Sequence, residues 1–168
     1  MADNTEFLSI KTDLDEAMKL FDGLEKESPK IRRRLLAGIG TTVKNKAKRE
    51  YKTLLKQKSG NLYKSLKRRV IKSGKAVVID AKARAENQVF YGYALAEGST
   101  ITAKSQKYLT FQVDGKWVKK ESVKLPENDY ISKPAERYLG SAEYRQQIDR
   151  LVQKEIDKLE QKGIVISK

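Results

Sequence analysis

The chain has 168 residues and a formal charge of +14, with no cysteine and no histidine. The length suits one domain with a buried core. The two missing residue types exclude disulfides, thiolate nucleophiles, Cys-based metal sites and every Ser-His or Cys-His catalytic arrangement, and they remove the commonest general base.

No run approaches the roughly 20 apolar residues that cross a bilayer, so no membrane contact is expected. The start, Met1-Ala2-Asp3-Asn4-Thr5-Glu6, is acidic where a signal peptide is basic, so the chain is expected to be made and kept in a cytoplasm. Residues 1–28 carry eight acids and three bases. After an N-terminus expected to be mobile (about 1–6), a short strand is predicted at Phe7 to Ile10. Thr12 or Asp13 then caps a predicted helix with Asp15 and Glu16 in its first turn, where carboxylates favour the helix dipole. Leu14, Met18, Phe21 and Leu24 form its apolar stripe.

Residues 29–75 carry 17 bases against the single acid Glu50, so the positive charge belongs to one segment. Ser28-Pro29 fits an N-cap followed by proline at the first helical position. Ile31, Leu35, Ile39, Val43, Ala47, Tyr51 and Leu55 recur every four residues to about Lys56, with Leu36 and Leu54 widening the stripe, which predicts one long helix. A strict four-residue spacing drifts around a 3.6-residue helix, so its apolar face must wind. Gly38 and Gly40 weaken the helix by about 1 kcal/mol each, which implies a bend or a close contact there. Gly38-Ile39-Gly40 lacks the preceding strand and third glycine of a nucleotide-binding fingerprint.

Arg32, Arg33, Arg34, Lys44, Lys48 and Arg49, with Arg68 and Arg69 further along, are candidate polyanion contacts, since such a cluster attracts nucleic acid without reading sequence. The same residues also read as a solvated helix face, or as one complementary to an acidic partner subunit.

Ser59-Gly60 ends this region, and Asn61 to Leu66 forms a short helical turn. Val70-Ile71, Ser73-Gly74 and Ala76-Val77-Val78-Ile79 then read as a hairpin. Val89 to Glu97, with Phe90, Tyr91, Tyr93 and Leu95, fits either helix or strand, a short helix ending at Gly98 being the preferred reading, and Ser99 to Gln106 reads as polar and turn-like. A second hairpin runs from Tyr108, Leu109, Phe111 and Val113 through Asp114-Gly115, a strong hairpin signal, to Trp117, Val118 and Val123. It belongs to an extended arm at about 99–128. Tyr108 with Leu109, and Trp117 with Val118, place apolar side chains on both faces, more than a lone hairpin buries. Tyr108, Leu109, Phe111, Trp117 and Val118 are therefore the candidate subunit interface, and the aromatic ones also suit base stacking in a single-strand binder.

Ser141 caps a last helix with Tyr144, Ile148, Leu151, Val152, Ile156 and Leu159 on one side and Gly163 at its end. Ile164-Val165-Ile166 follows as a final strand. The expectation is one α+β domain over residues 1–168: N-terminal helices, one of them long; a central antiparallel sheet built from two hairpins; and a C-terminal helix packed on the sheet. Asp80, Glu86 and Glu97 are the acids that could gather near the sheet as a Mg²⁺ site, but scattered acids of this kind read as surface residues. No metal, no cofactor and no enzymatic activity are expected.

The order of short motifs carries a resemblance. Ser59-Gly60-Asn61-Leu62 precedes the basic hairpin, Tyr91-Gly92-Tyr93-Ala94-Leu95-Ala96-Glu97-Gly98-Ser99 follows it, and then come Lys107-Tyr108-Leu109-Thr110-Phe111 and Tyr130-Ile131-Ser132-Lys133-Pro134-Ala135. Over residues 7–162 this resembles the tail-completion and neck family of tailed phages. The resemblance implies a non-enzymatic virion protein, assembled in the host cytoplasm, that forms a homo-oligomeric ring, often sixfold, at the head-proximal end of the tail. Its implied partners are tail-tube and head-connector proteins, with DNA in passing contact. The alternative is a nucleic-acid-binding protein without sequence preference that uses the basic 29–75 segment.

Overall fold

A computed structural model describes residues 8–10, 14–54, 61–71, 74–81, 91–103, 106–113 and 115–164. Its elements run β1 (Leu8–Ile10), α1 (Asp15–Lys19), α2 (Ser28–Leu54), α3 (Asn61–Ser65), β2 (Leu66–Val70), β3 (Val77–Ala81) and α4 (Tyr91–Glu97). They continue with β4 (Ser99–Thr102), β5 (Leu109–Val113), β6 (Lys116–Lys120), β7 (Ser122–Leu125), α5 (Ser132–Leu139) and α6 (Ala142–Glu160).

The long helix α2 organises everything else. Ile31, Leu35, Ile39, Val43, Ala47 and Tyr51 are all buried, together with Leu36 and Gly40. Each four-residue step turns the helix about 40° past a full circle, so the buried stripe winds and the helix can be covered from more than one side. Gly38 faces α6: a β-carbon there would lie 2.8 Å from Leu151 Cδ1. Gly40 faces the sheet, where a β-carbon would lie 2.4 Å from Val77 Cγ2. The two glycines are sites of close approach to two different neighbours. Burying Ile31, Leu35, Ile39 and Val43 contributes about 2 kcal/mol each, which outweighs the roughly 1 kcal/mol that each glycine costs the helix.

The three-stranded sheet has the order β1-β3-β2, antiparallel throughout. Every residue of its central strand, β3, is buried: the apolar run Val77-Val78-Ile79 dictates it, and Asp80 is buried with them, its carboxylate facing Arg69. Val77 and Ile79 enter the main core with Leu62 and Leu66. The β2–β3 turn closes through Gly74, at φ +64°, with the Ile71 amide donating to the Ala76 carbonyl at 3.1 Å.

α4 sits close over this layer. A β-carbon on Gly92 would lie 2.8 Å from Leu62 Cδ1 and 3.1 Å from the Ala81 carbonyl oxygen. The buried Tyr130 hydroxyl donates to the Gly92 carbonyl at 3.1 Å, and its ring meets Tyr51 edge-on at 5.5 Å. Tyr130 thus ties α4 to the far end of α2.

From Gly98, at φ +74°, the chain leaves the core. β4 pairs with β7, and β5 pairs with β6 inside that pair, so Ser99 to Leu125 is one two-storey hairpin. The Ala103 amide donates to the Glu121 carbonyl at 3.3 Å between the storeys. Of the residues from 99 to 129 whose burial is described, none is buried.

The α+β class, the long helix, the hairpin-built antiparallel sheets, the Gly98-terminated helix and the Ser141-capped last helix are as the sequence predicts. The finer arrangement differs. The second hairpin forms its own small sheets beside the three-stranded one, and Val123 pairs in β7 with Ile101 of β4 instead of extending the Asp-Gly hairpin. The stretch read as turn-like contains β4, because Ser99-Thr100-Ile101-Thr102, rich in β-branched residues, makes a solvated strand. The C-terminal helix lies along α2, which meets the sheet on another side, so α2 is the middle layer.

The first helix is shorter than its apolar stripe: α1 ends at Lys19, and Phe21 and Leu24 reach the core through successive turns. α5 was not separated from α6 by sequence; Pro134 falls in its first turn, where no amide partner is lost. The expected mobile N-terminus (about 1–6), Phe7, the caps Thr12 and Asp13, Leu55, Ser59-Gly60, Ser73, Phe90, Asp114 and the Val165-Ile166 end of the last strand lie outside the described residues.

Candidate functional site

Two candidate surfaces follow from the sequence, the basic segment and the hairpin arm, and the fold treats them differently. On α2, part of the positive charge is paired with carboxylates. Residues 34, 38, 42 and 46 form a row facing 155, 151, 147 and 143 of α6. Arg34 pairs with Glu155 at 2.6 Å, Gly38 takes Leu151, the Thr42 hydroxyl donates to Gln147 Oε1 at 2.9 Å, and Lys46 pairs with Glu143 at 2.7 Å. One helix climbs by four as the other descends by four, so this is an antiparallel, in-register seam.

Glu155 is 5% exposed in its side chain and also receives Lys158 at 2.6 Å. Burial pushes its pKa up, but hydrogen bonds and charge from Arg34 and Lys158 hold it below the ordinary carboxylate value. Two turns away along α6, beyond Leu151, Gln147 also accepts from the buried Tyr138 hydroxyl. Burial raises the Tyr138 phenol to about 12. The seam thus holds two polar clusters, Arg34–Glu155–Lys158 and Thr42–Gln147–Tyr138, on either side of the Gly38–Leu151 contact.

The eight candidate polyanion contacts therefore separate. Arg32 pairs with Asp15 at 2.7 Å, Arg34 is bound to Glu155, and Arg69 lies 3.6 Å from the buried carboxylate of Asp80. Arg68 donates to Thr41 Oγ1 at 2.7 Å, fastening β2 to α2. Lys48 stands 4.4 Å over the Tyr63 ring, with Lys52 at 4.9 Å from the same ring. Arg33 is exposed beside Gly74 of the first hairpin turn, and Lys44 is half-buried. Arg49 is exposed and, with Lys46 and Arg137, borders a cleft of about 280 Å³ between α2 and α5. Three of the eight, Arg32, Arg34 and Arg69, are also the cation half of the fold's own ion pairs.

Of the candidate metal acids, Asp80 faces Arg69, Glu97 is exposed at the end of α4, and Glu86 lies outside the described residues. Among the described residues no group of three His, Cys, Asp or Glu side chains stands ready to hold a metal ion.

The arm presents the opposite situation. Trp117 is 70% exposed and Tyr108 39%. In the β5–β6 register Phe111 stands opposite Val118 and Leu109 opposite Lys120, so Leu109, Phe111 and Val118 share one face and are half-buried there. Trp117, opposite Gln112, is on the other face. Apolar side chains thus occupy both faces of an element that the core does not cover, and the candidate interface residues are brought together at the end of the arm.

Sequence reasoning did not find Glu155, Gln147 and Tyr138. A four-residue row in α2 that mixes Arg, Gly, Thr and Lys answers a four-residue row in α6 carrying Glu, Leu, Gln and Glu, a complementarity legible only once the register between the two helices is known. Comparison with protein-family models, with curated proteins and with solved structures finds no match to this chain.

Proposed function

We propose that the chain is a non-enzymatic structural protein of a tailed-phage virion, one that completes the tail or joins it to the head by forming a ring at the head-proximal end of the tail. The observation that carries this reading is the arm: a two-storey hairpin with no buried residue among those described, holding Trp117 and Tyr108 in solvent and Leu109, Phe111 and Val118 only half covered. A monomer gains nothing from such an element, because exposed apolar area is stabilising only once it is buried. A ring subunit must present two unlike patches to its two neighbours, and an arm that leaves the core is suited to be one of them. The order of short motifs along residues 7–162 supports the same reading, with DNA in passing contact through exposed cations such as Arg49.

The test is to mix the purified chain with tail tubes and head connectors of the phage that encodes it and to locate it by antibody-gold electron microscopy. Label confined to the head-proximal end of the tail is expected. Absence from the particle, or label spread along the tube, would refute the reading.

A further inference from the structure

We infer that the arm of one copy docks into a groove between α1 and α6 of the next copy, with Trp117 as the inserted side chain; this deepens the ring reading and rests on it. The groove has a volume of about 730 Å³, and its floor is apolar: Ala17 and Leu20 from the α1 side, Tyr144, Ile148 and Val152 from α6. Leu20 is 42% exposed, an uncovered large aliphatic residue to match the uncovered Trp117. Such a volume accommodates an indole together with a neighbouring apolar side chain, as binding pockets of roughly 300–1,000 Å³ do for small ligands.

Charge selects the occupant. Residues 99–125 carry six lysines against Asp114 and Glu121. The groove is rimmed by Glu16 and Asp149, and residues 15–27 on the α1 side carry five acids against Lys19 and Lys26. A basic hairpin with an apolar end and an acidic groove with an apolar floor are complementary, and both belong to this chain. Arg145, also on the rim, is the local exception; a guanidinium beside an inserted indole is attracted to the ring face. Because arm and groove are different patches, the contact is heterologous and propagates from copy to copy, closing into a ring if the rotation permits.

The chain has no cysteine, so engineered thiols report the contact without background. Lys119→Cys, which keeps Trp117 and lies on the same face of β6, and Leu20→Cys are prepared separately, mixed and oxidised, with Lys133→Cys, an exposed position of α5, replacing Leu20→Cys as the control. The covalent pair with Leu20→Cys is expected to form at least about tenfold faster than with the control, and Trp117→Ser is expected to weaken self-association by at least about tenfold, as loss of an interface tryptophan anchor does.

Lys119→Glu with Lys120→Glu in one preparation, or Glu16→Lys with Asp149→Lys in another, is expected to weaken association, and mixing the two sets to restore it. These positions are exposed, and unchanged circular dichroism and melting show that the fold is kept. Equal cross-linking to both partners, or association unaffected by Trp117→Ser, overturns the arm-in-groove contact while leaving the ring reading intact. A wild-type chain that never self-associates overturns both.

Discussion

Leu151 Cδ1 occupies the space where residue 38 would carry a β-carbon, 2.8 Å from that position, so Gly38 is what allows α6 to lie against α2. The adjacent contact is tighter still, since Val77 Cγ2 lies 2.4 Å from the corresponding position of Gly40. Alanine normally strengthens a helix by about 1 kcal/mol relative to glycine, yet here it forces a helix or a strand outward at a cost of about 1–3 kcal/mol. Gly40→Ala is expected to be clearly destabilising in urea denaturation. Gly38→Ala is expected to be milder, because Leu151 can rotate, and Leu151→Ala is expected to remove most of the Gly38→Ala penalty in a double-mutant cycle.

The Arg34–Glu155 pair makes stability depend on acid. The folded pKa of Glu155 is below its ordinary value, so the carboxylate contributes stability that is fully present above that ordinary value and is lost as pH falls through the lower, folded one. Wild type is therefore expected to lose stability as pH drops below about 4.5, and Glu155→Gln to flatten that part of the profile. Arg34→Ala is expected to cost about 2 kcal/mol near neutral pH, as loss of a charged hydrogen bond does, with Lys158 still holding the carboxylate. Thermal melts from pH 3 to 7 measure both.

Tyr138 and Gln147 offer a test at the other end of the pH scale. With the phenol raised to about 12, its contribution is present below the ordinary tyrosine value near 10 and is lost as pH rises from 10 towards 12. Tyr138→Phe is expected to cost about 1 kcal/mol by removing a donor from Gln147, and Gln147→Leu more, since Thr42 and Tyr138 both lose their partner. Denaturation at pH 7 and pH 11 should show the Tyr138→Phe deficit shrinking at the higher pH.

The same pairs decide how DNA contact is to be examined. Reversing Arg34 sets two carboxylates together beside α6, so Arg34→Glu is expected to unfold the chain rather than report on polyanions. Arg49→Glu touches no such partner in the fold's seam and is expected to leave melting unchanged. If exposed cations meet DNA, duplex affinity at low salt falls with Arg49→Glu and the salt slope becomes shallower by about one contact; unchanged binding would remove Arg49 from that role.

Much of the fold was legible because single periodicities carried it. The four-residue recurrence from Ile31 to Tyr51, the Asp114-Gly115 hairpin signal and the Ser141 cap each fix an element locally. What could not be read was pairing at a distance. Nothing local tells that Glu155 belongs to Arg34, or that Ser99-Thr100-Ile101-Thr102 pairs with Ser122 to Leu125 around the inner hairpin, since a solvated strand lacks an apolar alternation. The basic residues are legible by type, but composition does not reveal that the fold sets Arg32, Arg34 and Arg69 each against a carboxylate. The arm was the reverse case, because apolar residues on both faces of one hairpin are visible in sequence and their exposure is visible in the structure.

The central claim is that this 19.2 kDa chain associates with itself through unlike patches. Light scattering on a size-exclusion column, run across protein concentrations, tests it most directly. A closed species with a mass that is an integer multiple of the chain, giving way to monomer in Trp117→Ser, is the predicted result. A single 19.2 kDa monomer at every concentration would contradict it.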